Sequence, residues 1–296
     1  MLLAEFINRA TEALEPLYPA AEARNLVLML CEHYLGTKSY THIIEPRHEV
    51  DSKKEAPLSA ALERLKAGEP VQYVIGKAVF CGREFVVTPA VLIPRPETEL
   101  MAREAVKISK MVRQRRIPYG KSAEPVRVLD LCTGSGNLAW TLALEVPGAH
   151  VVGVDWSESA IEVAANQPFE LTGGALAPTF VKADVLDTEQ PFDYGEFDLI
   201  VSNPPYVMEK EKADMRPNVL AYEPSSALFV PDDDPLCFYR AVARWSRRFF
   251  APEGKGLTEI NELLGPETEV LFQAAGFTET SIVKDFYDKD RFVFYR

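Results

Sequence analysis

The spacing of hydrophobic and polar positions along the chain changes at about residue 70. Before that point, apolar side chains such as Leu3, Phe6 and Ala10 recur every three or four positions, which is the period of an amphipathic helix. Proline or glycine follows these runs, and both residues commonly end helices. The pattern predicts a small helical bundle over residues 1–70, and we expect this module to pack or to dock a substrate rather than to carry chemistry.

An alternating period follows from Val71 to Val91. Apolar residues there tend to occupy every second position, which is typical of half-buried strands. The pattern predicts a β-hairpin, and we expect residues 71–94 to link two domains.

The remaining residues, 95–296, alternate short apolar runs with amphipathic ones. Strands are predicted at 126–131, 150–155, 179–185, 197–202, around 256–260, at 279–284 and at 291–295, and helices at 137–145, 157–166, 236–249 and 267–275. This alternation predicts an α/β domain with a Rossmann-like, mainly parallel sheet of seven strands, helices on both faces and an antiparallel pair at one edge. The strand around 256–260 is less apolar than a central strand should be, so its alignment stays open.

Two polar stretches precede the first strand of this sheet. Six basic residues between Arg103 and Arg116 are most simply a solvated helix face, with a contact to RNA or to an acidic partner left open. Residues 118–125 are predicted to form a loop.

Composition narrows the class of protein. The chain has 296 residues, 47% of them hydrophobic, and a formal net charge of -12. These values fit a soluble globular protein and argue against a dedicated nucleic-acid binder, because such proteins are usually basic. The four cysteines and four histidines are scattered, so we expect reduced thiols, no metal and a cytoplasmic location. Glu5 interrupts the first apolar residues and no apolar run is long enough to span a bilayer, so we expect neither a signal peptide nor a membrane span.

The stretch from Phe197 to Tyr206 carries the first candidate site. Its apolar beginning is typical of a strand buried on both faces, and Pro204 and Pro205 end the strand because proline cannot donate to a sheet. Ligands of open α/β sheets bind at this carboxyl edge. The Asn203 side-chain carbonyl and the Pro204 main-chain carbonyl are two acceptors for a planar –NH2 group, and the Tyr206 ring offers a flat surface. Held in this way, an amide or aryl amine nitrogen can present its lone pair to an electrophile; the alternative is a turn without chemistry.

A second candidate site follows the strand predicted at 126–131. The turn consists of Cys132, Thr133, Gly134, Ser135 and Gly136, and with the following helix it forms a cradle in which the backbone can approach a ligand. The spacing also satisfies a dinucleotide fingerprint, but Asp130 just before the turn suits a cationic ligand better than a pyrophosphate. Asp155 ends the next strand and suits ribose hydroxyls, the alternative being that it caps the following helix.

A third acid completes this pattern. Asp184 lies near the end of the third strand, where it is placed for a base amine. Acids at three consecutive strand ends, without a phosphate-binding lysine, fit S-adenosylmethionine better than NAD or ATP.

Four features of the sequence carry a resemblance to a known family. They are the segment Ile93-Pro94-Arg95-Pro96-Glu97-Thr98-Glu99, the turn from Asp130 to Gly136, Asp155, and Asn203 to Tyr206. With them the chain resembles the class I S-adenosylmethionine-dependent methyltransferases and, within these, the PrmC/HemK family, which methylates a glutamine side-chain amide in peptide-chain release factors. The resemblance covers nearly the whole chain.

The resemblance implies a cofactor, a substrate and the residues that hold them. The cofactor is S-adenosyl-L-methionine, the product S-adenosyl-L-homocysteine, and the methyl acceptor the glutamine of a Gly-Gly-Gln motif. Cofactor binding falls to Asp130, Cys132, Thr133, Gly134, Ser135, Gly136, Asp155, Asp184, Val185 and Asn203. Substrate binding falls to Arg95, Glu97, Asn203, Pro204, Pro205 and Tyr206, of which the last four are also the catalytic residues. We expect a monomer whose protein partners are release factors.

Other functions stay open at this point. The family usually has glycine where Cys132 stands, and cysteine recurs there in the related ribosomal-protein glutamine methyltransferases, so a ribosomal-protein substrate is one alternative. A DNA adenine methyltransferase and a non-catalytic nucleoside-binding module are the others. The acidic net charge argues against the DNA enzyme.

Overall fold

A computed structural model describes residues 1–116 and 124–296 of the chain. They form two compact units, the first comprising residues 1–77 and 215–223 and the second residues 78–214 and 224–296. Within the described ranges, no helix combines the length and the apolarity needed to cross a bilayer. The loop predicted at 118–125 lies largely outside the described residues.

The elements are numbered in chain order. The helices are α1 (Leu3–Leu14), α2 (Ala20–Leu35), α3 (Thr41–Ile44), α4 (Ser52–Lys66), α5 (Val71–Ile75), α6 (Thr98–Arg116), α7 (Asn137–Glu145), α8 (Glu158–Ala165), α9 (Pro217–Tyr222), α10 (Cys237–Phe249) and α11 (Gly265–Ala274). The strands are β1 (Lys77–Phe80), β2 (Arg83–Val86), β3 (Arg127–Leu131), β4 (His150–Asp155), β5 (Thr179–Lys182), β6 (Phe197–Ser202), β7 (Val207–Met208), β8 (Phe229–Val230), β9 (Phe250–Glu259), β10 (Thr280–Lys284) and β11 (Asp290–Tyr295).

The first unit is helical, as the apolar spacing before residue 70 predicts. Its helices bury one apolar core, which includes Phe6, Val27 and Leu58. The Asp51 carboxylate accepts a hydrogen bond from the Lys53 main-chain N–H at 2.9 Å and so caps α4.

The hairpin prediction is wrong at its beginning. The alternation at Val71 belongs to a helix, α5, which starts after Pro70 and ends at Gly76 in the left-handed conformation, with φ at 73°. Val71 and Val74, three residues apart, are both buried in the helical core, so tertiary burial outweighs the alternating pattern. The hairpin itself is confined to β1 and β2.

The second unit contains the predicted seven-stranded sheet, in the order β10-β11-β9-β6-β3-β4-β5. The strands from β9 to β5 are parallel, and β11 and β10 complete the sheet with antiparallel pairings. Successive side chains of a strand face opposite sides, so Val128 and Leu129 enter the two separate apolar cores that cover the two faces. The predicted bounds of β4, β6 and α7 agree to the residue, whereas β9 is longer than predicted.

The basic run lies on α6, where several of its side chains are paired. Arg103 contacts Glu99 at 2.9 Å on the surface. Arg116 contacts the buried Asp198 at 2.5 Å, and the Arg127 main-chain N–H donates to the same carboxylate at 2.9 Å. The run is therefore a helix face, and Arg116 stabilises the second unit.

The order of the parallel strands determines where a ligand can bind. Along the chain, β3, β4 and β5 extend the sheet in one direction, and β6 then pairs with the other side of β3. Leu131 and Ser202, the last residues of β3 and β6, are register partners, so the segments that follow them emerge side by side. Open α/β sheets bind ligands at such a reversal of strand order.

Candidate active site

A cavity of about 1150 Å³, part of it open to solvent, lies at the carboxyl ends of these strands. The turn after β3 contributes Cys132 to Ser135, and the end of β4 contributes Asp155 and Trp156. Asp184 and Val185 line it beyond β5, and Asn203 and Pro205 line it beyond β6. The two sites predicted separately from the sequence therefore border one cavity.

The glycine turn brings main chain to the cavity wall. Gly134 and Gly136 have φ values of 53° and 76°, in the left-handed region that glycine adopts without strain. A Cβ on Gly136 would lie 3.0 Å from the Phe180 ring, so this position also lacks space for a side chain. Gly136 itself is outside the lining, and it serves to start α7. Cys132 has a φ of 62°, in the left-handed region, so glycine could take its place without backbone strain.

Asp130 lies beneath this turn and is fully buried, so it is not one of the residues that line the cavity. Its Oδ2 accepts hydrogen bonds from Thr133 Oγ1 at 2.6 Å and from the Ala139 main-chain N–H at 3.2 Å. Its Oδ1 has no hydrogen-bond partner among the described residues. Burial raises the pKa of Asp130 to about 7, although both hydrogen bonds oppose this effect. Asp130 stabilises the turn through its hydrogen bonds with Thr133 and Ala139. Its contact with a cationic ligand stays a prediction.

Asp155 lines the cavity with a nearly buried carboxylate. Its Oδ2 accepts from the Gly134 main-chain N–H at 2.9 Å and its Oδ1 from the Ser157 main-chain N–H at 3.0 Å. Burial raises the pKa of Asp155, and these hydrogen bonds lower it. Ser157, not Asp155, caps α8, because Ser157 Oγ accepts from the Ala160 main-chain N–H at 3.2 Å. Each Asp155 oxygen can still accept a ligand hydroxyl.

Trp156 is the most exposed aromatic residue among the lining residues that the sequence did not predict. Trp156 follows Asp155 directly and is 57% exposed, which is unusual for so large an apolar side chain. Asp184 is exposed at the same side of the cavity, and Val185 is buried. An indole, an aliphatic side chain and a carboxylate together suit a flat, amine-bearing base. The available signal was an aromatic residue immediately after the strand-ending acid.

The loop after β6 places its four residues differently. Asn203 and Pro205 line the cavity, whereas Pro204 and Tyr206 are outside its lining. The Asn203 amide Nδ2 donates to Thr98 Oγ1 at 3.1 Å. Its Oδ1 has no partner within the described ranges, so it stays available as an acceptor.

A buried carboxylate on β9 lies behind this loop. Glu259 is 3% exposed, and it accepts from Thr98 Oγ1 at 2.7 Å and from Tyr206 Oη at 3.0 Å. Burial raises the pKa of Glu259 and of Tyr206. Asn261, just beyond β9, donates from Nδ2 to the Tyr206 main-chain carbonyl at 3.1 Å. Glu259 and Asn261 make this stretch less apolar than a central strand should be, and both hold the loop through Tyr206.

The two remaining predicted residues come from the proline-rich segment before α6. Arg95 is half-buried and lines the cavity, whereas Glu97 is exposed and outside the lining. Among the described lining residues, Arg95 is the one with a permanent positive charge, and Asp155 and Asp184 are the two with carboxylates. The lining therefore carries a small excess of negative charge, which suits a cationic ligand better than a pyrophosphate.

Comparisons with known proteins place the chain in a family. Residues 5–76 match a family model described as the PrmC N-terminal domain, and residues 123–285 match one described as a methyltransferase domain. The release factor glutamine methyltransferase of Bacteroides thetaiotaomicron is 36% identical over 289 residues, covering 96% of this chain and 98% of the relative. The enzyme of the same name from Flavobacterium psychrophilum is 33% identical over 293 residues, covering 99% and 98%.

A solved structure supports the fold alone. The hMettl16 catalytic domain, crystallised with the MAT2A 3'UTR hairpin 6, superimposes with a TM-score of 0.52 at 12% identity over 81% of each chain. The sequence matches are far more specific, because they extend over both units and nearly the full length of the relatives. On this evidence the chain belongs to the release factor glutamine methyltransferase family.

Proposed function

We propose that this protein transfers a methyl group from S-adenosyl-L-methionine to the side-chain amide nitrogen of the glutamine in the Gly-Gly-Gln motif of release factors. The observation that carries the proposal is the shared cavity. Asn203, whose side-chain carbonyl has no partner in the described structure, lines this cavity together with the glycine turn and Asp155, which supports a methyl donor and an amide acceptor in one site. The family membership and the names of the relatives give the substrate class.

The residues on the turn side fit the cofactor. When bound, S-adenosyl-L-methionine supplies an electrophilic methyl group on a positively charged sulfur, and S-adenosyl-L-homocysteine is left. The main chain of Cys132 to Ser135, which lines the cavity, would hold its amino-acid portion, and Asp155 would accept from the ribose hydroxyls. Trp156, Asp184 and Val185 would enclose the adenine. The negative lining favours the sulfonium charge.

The residues on the loop side fit a primary carboxamide. Its two N–H groups need two acceptors, and we assign Asn203 Oδ1 and the Pro204 main-chain carbonyl to these contacts. An amide nitrogen is a weak nucleophile, so its orientation toward the methyl group is the main contribution that the protein can make. A strong base is not required, since the proton can leave after attack. Pro205 would keep the loop rigid.

The remaining assignments complete the proposal. We assign residues 1–70 to substrate docking and 95–296 to methyl transfer. Of the predicted linker, 71–94, α5 belongs to the helical unit, so we assign the linking role to residues 78–94. Arg95 and Glu97 would contact the release factor at the mouth of the cavity. We infer a monomer that works in the cytoplasm.

Methylation assays with three acceptors test the function. The protein is incubated with radiolabelled S-adenosylmethionine and, in parallel, with a purified release factor, with ribosomal proteins and with plasmid DNA. We expect label in the release factor, located by mass spectrometry on the glutamine of the Gly-Gly-Gln peptide. Label in ribosomal protein or DNA alone would assign the chain to another substrate, and cofactor binding without label anywhere would favour a binding module.

A variant tests the mechanism separately. Asn203→Ala should lower kcat on the order of a hundredfold, by analogy with the loss of one preorganised polar group. Its affinity for S-adenosylmethionine, measured by calorimetry, should stay close to that of the unmodified protein. Near-normal turnover of Asn203→Ala would remove this residue from the mechanism.

A further inference from the structure

We propose that Glu259, acting through Thr98, is a positioning residue that fixes which end of the Asn203 amide faces the cavity. The inference rests on the proposed role of the Asn203 carbonyl and adds a reason for its orientation. Three contacts carry it. Asn203 Nδ2 donates to Thr98 Oγ1 at 3.1 Å, Thr98 Oγ1 donates to Glu259 Oε2 at 2.7 Å, and Tyr206 Oη donates to Glu259 Oε1 at 3.0 Å.

The direction of these hydrogen bonds follows from the chemistry of the groups. Both oxygens of Glu259 accept hydrogen bonds, Oε2 from Thr98 Oγ1 and Oε1 from Tyr206 Oη. These two hydrogen bonds favour the ionised carboxylate and oppose the rise in pKa that burial causes. An ionised carboxylate can only accept, so the single hydroxyl proton of Thr98 goes to Glu259. The Thr98 oxygen is then left with lone pairs alone and can only accept from Asn203. The NH2 end of the Asn203 amide must therefore face Thr98, and the carbonyl end must face away from it. A carboxamide without this constraint can turn over, because its two ends have the same shape.

Burial makes this constraint firm. Thr98 and Glu259 are 1% and 3% exposed, so water does not compete for their hydrogen bonds. Reversing the amide would place the Asn203 carbonyl oxygen against Thr98 Oγ1, whose proton is already donated to Glu259. Neither oxygen could then donate to the other, and both would lack a hydrogen bond in a buried place. A reversed amide would also present NH2 to the NH2 of the substrate, where no hydrogen bond can form. The same carboxylate holds Tyr206, so one group orients the first residue of the loop and anchors the last.

Glu259→Gln tests the direction. Glutamine has nearly the same shape, but its NH2 group can donate to Thr98 and release the Thr98 hydroxyl to donate to Asn203. We expect kcat on a release factor to fall on the order of tenfold to a hundredfold, with an unchanged dissociation constant for S-adenosylmethionine. A merely structural role would instead alter cofactor affinity and thermal stability together with kcat.

Thr98 gives a second test that does not depend on a folded Glu259 variant. Thr98→Val keeps the shape of the side chain without its hydroxyl, and we expect its kcat to fall as much as that of Glu259→Gln. Thr98→Ser keeps the hydroxyl, and we expect it to retain most of the wild-type kcat. The Thr98→Val/Glu259→Gln double variant should be little worse than either single variant, because both break one chain of hydrogen bonds. Thr258→Val is the matched control. Thr258 is also fully buried and adjoins Glu259, but its hydroxyl contacts Tyr295, and its loss should leave kcat unchanged.

The outcomes separate the inference from the function on which it rests. Normal kcat in Thr98→Val, or a loss that Thr98→Ser does not restore, overturns the role of the hydroxyl chain. If Asn203→Ala loses activity while Thr98→Val and Glu259→Gln keep it, the methyl transfer stands and the orienting role is wrong. If Asn203→Ala is itself active, the proposed function of that residue fails first.

Discussion

Asp130→Asn should change the pH dependence of stability, because the wild-type carboxyl is buried with one oxygen unpartnered. Burial raises the pKa of Asp130 from 3.8 to about 7. Well below pH 3.8 the carboxyl is protonated in both the folded and the unfolded chain, so it has no effect on the free energy of unfolding. As pH rises from 4 to 7 the unfolded chain ionises first, so the folded chain loses stability, and the loss is complete above pH 7.

The size of this effect follows from the same pKa values. A tenfold change in a protonation equilibrium is worth about 1.4 kcal/mol. The raised pKa therefore destabilises the folded chain by about 4 kcal/mol at pH 8, where Asp130 is ionised in both states, and by about 1.5 kcal/mol at pH 5, where it is ionised only in the unfolded chain. Asparagine does not titrate, and its carbonyl can still accept from Thr133 and Ala139. The free energy of unfolding of Asp130→Asn, relative to wild type, should therefore rise by about 2.5 kcal/mol between pH 5 and pH 8.

Urea unfolding without cofactor, followed by tryptophan fluorescence at pH 5 and pH 8, measures this difference. Trp140 and Trp245 are buried in the second unit and report its unfolding. Asp198→Asn is the control, because that carboxylate is also buried but is paired with Arg116. The control should be less stable at both pH values, by about 3 kcal/mol. A relative stability of Asp130→Asn that is the same at pH 5 and pH 8 would refute the reasoning.

Three further substitutions probe the cavity and the turn. Trp156→Ala should raise the dissociation constant for S-adenosylmethionine, measured by calorimetry, about tenfold, because an aromatic surface for the base is lost. The melting temperature should stay unchanged, because the side chain is exposed. An unchanged dissociation constant would exclude the contact between Trp156 and the cofactor. Cys132→Val should destabilise the fold by about 2 kcal/mol, since a β-branched residue at a φ of 62° is strained, whereas Cys132→Gly should match or exceed the wild type in urea unfolding. Gly153→Ala should cost about 2 kcal/mol, because its Cβ would lie 2.7 Å from the Phe180 ring and 2.8 Å from Thr133 Oγ1; a loss below 0.5 kcal/mol, about the range of neutral surface changes, would contradict the crowding.

The elements that the sequence predicts best are those with a local signal. β4 and β6 are apolar runs that end in a polar residue, and α7 follows a glycine turn, so their bounds agree with the structure to the residue. The strand ends then place Asp155 and Asn203 at one edge of the sheet by topology alone. Both candidate sites can therefore be predicted from the sequence, because each depends only on where a strand ends.

The remaining features depend on contacts that no local pattern reports. α5 has an alternating sequence, and burial in the helical core decides its conformation. Thr98 and Glu259 are 161 residues apart in the chain, so their hydrogen bond could not be inferred from spacing. Glu259 at the end of β9 and Asn261 just beyond it are polar where the pattern of a central strand predicts apolar residues, and the structure shows both hydrogen-bonded to Tyr206 in the Asn203 loop.

The decisive measurement is a crystal structure of this protein with S-adenosylhomocysteine and a release factor. We expect the glutamine side-chain nitrogen to lie about 3 Å from both Asn203 Oδ1 and the Pro204 carbonyl oxygen, facing the cofactor sulfur across a gap that one methyl group fills. An Asn203 carbonyl turned away from that nitrogen, or a layer of water between the nitrogen and the sulfur, would contradict this expectation.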